Sequence, residues 1–152
     1  MITVEQQEIL IKGLNGNRVA QRKGGGGRSL SYLEAWDVKA HLIRIFGFGG
    51  FSSEVLSAEQ VFEEKMEKNW SVGYKVVLQL TVRSLDCTYT EAAVGSAMLP
   101  QRGEAHDMAV KTAESDALKR AAINLGDQFG LSLYNNGSTS PVVIQTLVGT
   151  SE

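Results

Sequence analysis

The stretch Arg22-Lys23-Gly24-Gly25-Gly26-Gly27-Arg28 places three positive charges around four consecutive glycines. Glycine carries no side-chain bulk and adopts positive φ without strain, so such a loop can bring backbone amides and flanking guanidinium groups close to another molecule. The chemistry on offer is non-covalent capture of an anion. The stretch belongs to a longer basic run, because Ile9 to Leu33 holds five bases (Lys12, Arg18, Arg22, Lys23 and Arg28) and no acid. Glu54 to Glu67 reverses the sign, with five acids against Lys65 alone. The formal net charge is -2, so the cations are concentrated rather than abundant. Two oppositely charged surface segments that merely aid solubility would leave the same pattern.

Covalent chemistry lacks its motifs. RKGGGGRSL has no Gly-Lys-Ser/Thr ending, and so supplies neither the phosphate lysine nor the magnesium hydroxyl of a triphosphate loop. GFGGFS lacks the third glycine of a dinucleotide fingerprint. No nucleophile elbow orders the scattered Ser, His and Asp residues into a triad. The lone Cys87 with only His41 and His106 falls short of a Cys/His zinc site. The expectation is a protein that is not an enzyme and takes no metal or cofactor. No apolar run approaches the roughly 18 residues of a membrane span, and MITVEQQEIL carries acids where a secretory signal carries Lys or Arg. A cytoplasmic protein without membrane partners follows as the expectation, and its 152 residues suit one hydrophobic core.

The elements that must position the basic residues can be read from periodicity. Thr3-Val4-Glu5-Gln6 fits a capping box and predicts a helix to about Leu14. A glycine-rich loop is expected from there to Leu30. In SYLEAWDVKAHLIRIFG the residues Leu33, Trp36, Ala40, Ile43 and Phe46 recur at three- and four-residue steps, predicting an amphipathic helix stopped by Gly47. Tyr74 to Arg83 alternates as a half-buried strand, Leu85 to Thr88 reads as a turn into Tyr89 to Ala97, and an earlier strand spans Val55 to Glu63. Three locally joined antiparallel strands result. Helical periodicity returns from Gly103 to Gly130, where Ala105, Ala109, Ala113, Ala117 and Ala121 let the helix lie close against a sheet. A domain over 1–133 and a tail over 134–152 are expected.

Two blocks carry a specific resemblance. RKGGGGRSLSYLEAWDVKAHLIRIFGFGGFS resembles the block of the Rad-fifty-two family of single-strand annealing proteins in which an Arg and a glycine run precede Tyr-Ile-Glu-Gly, a helix and a Phe-Gly-Tyr-Asn-Gly-Trp turn. AVKTAESDALKRAAINLGDQFG is similar to that family's long helix with its Leu-Lys-Arg-Ala core and Phe-Gly ending. The resemblance runs from Val4 to Leu133. It implies an α+β fold, a three-stranded antiparallel sheet on a long helix with an N-terminal helical segment, assembled as a homo-oligomeric ring or arc with single-stranded DNA in an outer groove. It implies ATP-independent annealing of complementary strands in homologous recombination and repair, by a protein of phage or bacterial type. A single-strand-binding protein or an exonuclease would be further partners.

Carried over by residue, Arg22 matches the groove arginine before the glycines, Tyr32 the motif tyrosine, and Lys119 and Arg120 the groove Lys-Arg pair. Lys111 lies two helical turns earlier and Arg102 precedes the helix. Lys23 and Arg28 are added from charge and position. The chain departs from the pattern at Ile123, where the family often has a further base, and at Ala35, where the motif ends in glycine. It also stops where eukaryotic members continue into a recombinase-binding tail, so that function is not carried over. Other readings stay open. Lys119 and Arg120 also suit a solvated helix face, Tyr32 suits a core, and Phe48 and Phe51 suit a packing lid or subunit contact ahead of base stacking. A self-assembling protein-interaction module with an acidic partner would use the same basic segment.

Overall fold

The computed structural model of the chain describes residues 2–148. They form two compact units, one comprising residues up to Phe51 with Val82–Cys87 and the chain from Ala122 onward, the other comprising Ser52–Thr81 and Thr88–Ala121. The last residues of the expected tail, 149–152, lie outside the described residues.

In the first unit both halves of the capping box form. The Gln6 amide donates to Thr3 Oγ1 at 3.1 Å and the Thr3 amide to Gln6 Oε1 at 3.1 Å, which starts α1 (Val4–Leu10). The helix stops short of the expected Leu14, because the Lys12 amide turns to Ile9 O at 3.1 Å, three residues back rather than the four that would continue the helix. Gln128 Nε2 donates to Lys12 O and Gly13 O at 3.0 and 2.8 Å, and a Cβ on Gly13 would stand 3.1 Å from Pro141. The expected loop from there to Leu30 is instead a β-hairpin. Strands β1 (Ala20–Lys23) and β2 (Ser29–Tyr32) pair antiparallel from Ala20↔Tyr32 to Lys23↔Ser29. Four-residue strands with mostly polar, exposed side chains show no apolar alternation, and so hide their pairing from a periodicity argument.

Helix α2 (Ala35–Phe46) ends as expected at Gly47, whose φ of +84° suits only glycine. Its buried face is not the predicted one. Val38, Leu42 and Ile45 are buried with Asp37 and His41, whereas Trp36 is 66% exposed. The two apolar stripes differ by two residues, or about 200° around the helix, and both satisfy the same three- and four-residue spacing. Leu14, Leu33, Leu125 and Phe129 are buried in the same unit, and Phe46 of the predicted stripe stacks on Phe129 with ring centroids 6.4 Å apart.

The second unit is the expected sheet on a long helix. Strands β3 (Phe51–Lys65), β4 (Trp70–Val82) and β5 (Cys87–Leu99) lie side by side in that order. Thr81 meets Thr88 at 3.2 Å and Gln79 meets Thr90 at 3.3 Å, an antiparallel register. Alternation along β4 buries Val72, Val76, Leu78, Leu80 and Val82 completely or nearly so. All five alanines of the predicted stripe on α3 (Arg102–Ala122) are fully buried, as is Leu118. The helix comes close enough that a Cβ on Gly95 of β5 would stand 2.3 Å from the Ala113 amide nitrogen. The helix ends at Ala122, earlier than the predicted Gly130. Beyond it two tight turns carry Leu125 and Phe129, interrupted by Gly126 at φ +100°. Tight turns repeat every three residues, so the apolar spacing alone could not distinguish them from helix.

The close approach at Gly95 makes a direct test. Gly95→Ala drives a methyl group into the α3 backbone, which cannot rotate away, so the expected cost is ~1–3 kcal/mol or more, with a Tm lower by several degrees in a thermal melt followed by circular dichroism.

Candidate nucleic-acid interface

The glycine loop is the tip of the β1–β2 hairpin. Gly24 donates its amide to Arg28 O at 2.6 Å, closing a loop in which Gly26 and Gly27 adopt φ of +74° and +75°. An L side chain is strained at such angles. Arg22, Lys23 and Arg28 are all exposed on this hairpin, and no hydrogen bond or ion pair of Lys23 or Arg28 side chains is found among the described residues. The Arg22 guanidinium lies 5.4 Å from the centroid of the half-buried Tyr32 ring. In the pairing register Arg22 faces Leu30 and Tyr32 faces Ala20, so Arg22 and Tyr32 are diagonal neighbours on one face, within reach for long side chains. Tyr32 thus braces a cation rather than filling the core.

The second unit carries the other basic residues, on α3. Lys119 sits in the last turn 3.4 Å from Asp116, and the exposed Arg120 lies 3.9 Å from Glu91. An exposed ion pair such as that of Arg120 is worth roughly 0–1 kcal/mol. Lys111 is exposed and bonded to Asp107, four residues earlier on the helix, at 2.7 Å. Arg102 is held more firmly. It makes a two-pronged contact with Glu63, both at 3.0 Å, and its guanidinium lies 5.0 Å from the Trp70 ring centroid.

Glu63, in the acidic run on β3, links that strand to the start of α3. It accepts from Arg102 and from His106 Nε2, whose Nδ1 faces Tyr74 Oη at 2.7 Å. The Arg102 hydrogen bonds, followed by that of His106, hold the Glu63 carboxyl below its ordinary range. The acidic segment conceals this arrangement, because the partners of Glu63 lie far along the chain on another element.

A second arrangement that the sequence does not reveal lies at the foot of the hairpin. A cavity of about 600 Å3 is lined by Arg18, Ala20, Glu34, Trp36, Asp37 and Arg44 among others. Asp37 is almost wholly withdrawn from water between two arginines, with Arg18 Nη2 at 2.8 Å and Arg44 Nη2 at 3.4 Å. Arg18 also donates to Gln128 O at 2.8 Å. Arg44 Nε donates to His41 Nδ1 at 3.0 Å, so the ring proton sits on Nε2 and is shared with Gln128 Oε1 at 2.8 Å. Burial, aided by the charges of Arg18 and Arg44, pushes the His41 imidazole down to about 4. These links connect α1, α2 and the turn at Gln128 through polar contacts that periodicity cannot reveal.

Comparison with known proteins adds a family. A family described as Rad52/22 family double-strand break repair protein matches residues 3–145. The chain is 33% identical over 132 residues to the DNA repair and recombination protein rti1 of Schizosaccharomyces pombe, covering 84% of this chain and 35% of that protein. It is 33% identical over 133 residues to the DNA repair and recombination protein rad22 of the same yeast, covering 85% and 28%. With the DNA repair and recombination protein RAD52 of Saccharomyces cerevisiae it shares 31% over 131 residues, covering 85% and 27%. The chain thus spans about a third or less of the length of these curated relatives.

Two outcomes follow from this geometry. Nothing lies within 4 Å of a Cβ added to Gly26 or Gly27, so Gly26→Ala with Gly27→Ala acts through backbone strain alone, about 1–2 kcal/mol per residue. The Gly24 amide should then exchange with solvent about tenfold faster or more in an NMR hydrogen-exchange experiment, with the global Tm little changed. For His41, the unfolded state takes up a proton between pH ~6.5 and about 4 while the native state does not, so stability is lost as pH falls through that window. Urea titrations at about pH 7 and pH 4.5 should differ by an amount on the order of 2 kcal/mol from this group, and His41→Asn should flatten that part of the profile.

Proposed function

Because the chain belongs to the Rad52/22 family of double-strand break repair proteins, we propose that it binds single-stranded DNA by the sugar-phosphate backbone and anneals complementary strands without ATP, in homologous recombination and repair. The observation that carries this reading is the family match over residues 3–145, which encloses both basic elements, the hairpin with Arg22, Lys23 and Arg28 and the end of α3 with Lys119 and Arg120. Arg102 and Lys111 are secondary contacts, each already bonded to a carboxylate, and Tyr32 acts by bracing Arg22.

Annealing requires a surface that grips phosphates and leaves base edges free for pairing, and charge contacts to the backbone do this without reading sequence. No bond is made or broken by the protein, and neither nucleotide nor metal enters the step. A few phosphates held by one protomer give weak binding. Copies arranged head to tail in a ring or arc present many such contacts to one strand, and the contacts then add through effective concentration. The long edge strand β3 supports assembly. Val55, Leu56, Val61 and Phe62 are all exposed there, an apolar edge of the kind monomeric proteins normally cover.

Residues 1–133 act in this reading as the binding and assembly domain and 134–152 as a tail. The site of action is the cytoplasm or nucleoid, and a single-strand-binding protein or an exonuclease is a further partner. Among the described residues no helix is long and apolar enough to cross a membrane.

Fluorescence anisotropy of a labelled oligonucleotide across a series of salt concentrations tests the reading. Lys119→Ala with Arg120→Ala should weaken binding and lower the salt slope by about 0.7 for each phosphate that is no longer neutralised. A double variant that binds and anneals like the parent would refute it.

A further inference from the structure

Trp36 buries little area for the fold, yet it is held in place. Its Nε1 donates to Glu34 Oε2 at 2.8 Å, fixing the indole against one wall of the cavity at the foot of the hairpin while 66% of the residue stays open to solvent. The other tryptophan differs, since Trp70 is half-buried with the Lys65 and Arg102 cations over its ring. The cavity falls within the roughly 300–1,000 Å3 of small-ligand sites.

We infer that this cavity is a nucleotide subsite in which Trp36 stacks on one base of the bound single strand and Arg44 meets an adjacent phosphate. The inference rests on the single-strand-binding reading and adds to it a contact made through base faces. Arg44 is half exposed. Its Nε and Nη2 are engaged by His41 and Asp37, while Nη1 has no hydrogen bond among the described residues, leaving one edge of the guanidinium available. Asp37 and His41 hold that edge in place before any ligand arrives, and a preorganised donor loses less on binding than a mobile one.

Position supports the same occupant. Ala20 lines the cavity and begins β1, and Arg22 follows on the same side of the strand two residues later, about 7 Å away. A strand gripped at Arg22 therefore has the cavity within reach of a neighbouring nucleotide. Stacking engages the face of a base and leaves its pairing edge open, and every base has such a face, so the contact tolerates any sequence and is compatible with annealing.

The test uses the full chain carrying Trp70→Phe, so that Trp36 is the only indole, titrated with a short oligothymidylate while anisotropy reports binding independently. Trp36 emission should be quenched in step with binding. Trp36→Ala should lose between about 5-fold and 100-fold in affinity with no change in salt slope, and Trp36→Phe should recover most of it. If the oligonucleotide binds in a manner weakened by Lys119→Ala with Arg120→Ala, while Trp36 emission stays constant and Trp36→Ala binds like the parent, the subsite is refuted and the annealing reading stands. Emission that responds to protein concentration but not to DNA would assign this wall to an interface between copies and overturn the inference. Absence of any binding by the parent chain would remove both.

Discussion

A carboxylate with almost no access to water holds the first unit together. Asp37 lies between the guanidinium groups of Arg18 and Arg44, and Arg18 continues to the carbonyl of Gln128. An ion withdrawn from water is tolerated only when its partners satisfy it, and removing one partner of such a pair typically costs about 3–5 kcal/mol. Through this one residue the turn before β1, helix α2 and the segment after α3 are set in mutual register. The neutral His41 and the Gln128 amide extend the same network to Lys12 and Gly13, just beyond α1. The hairpin that displays Arg22, Lys23 and Arg28 starts directly from this anchored turn.

The second unit solves a different problem with smaller residues. A helix that must lie very near a sheet needs alanine on its own face and glycine on the strand it touches, and Ala109, Ala113 and Gly95 supply both. The last turn of the same helix carries Lys119 and Arg120, paired with Asp116 and Glu91. A helix seated this closely on its sheet holds both cations in place, and a preorganised cation loses little ordering when a ligand arrives. Arg102, tied down by Glu63 and Trp70, belongs to the scaffold as much as to any binding surface.

Much of the architecture is legible in the residues themselves. The Thr3–Gln6 capping box, the three strands, the buried alanine stripe and the stop at Gly47 all follow from local rules, and the structure reproduces each. The departures share one cause, which is that spacing alone does not identify what an element packs against. On α2 two apolar stripes satisfy helical spacing, and the fold buries Val38, Leu42 and Ile45 while it leaves Trp36 exposed. Past Ala122 the same spacing continues through tight turns. The β1–β2 hairpin leaves no periodic signal because its pairing relies on backbone bonds and a glycine tip, not on an apolar face.

The order of residues along the chain determined what depends on near neighbours: caps, strand alternation, the concentration of cations around four glycines, and the two blocks that mark the family. Tertiary structure alone decided which cations are engaged and which polar groups share a site. Asp37 finds Arg18 across 19 residues and Gln128 reaches His41 across 87. Such contacts depend on geometry imposed by the packed core, and a charge or amide carries no mark in the sequence of the distant partner that the fold will bring to it.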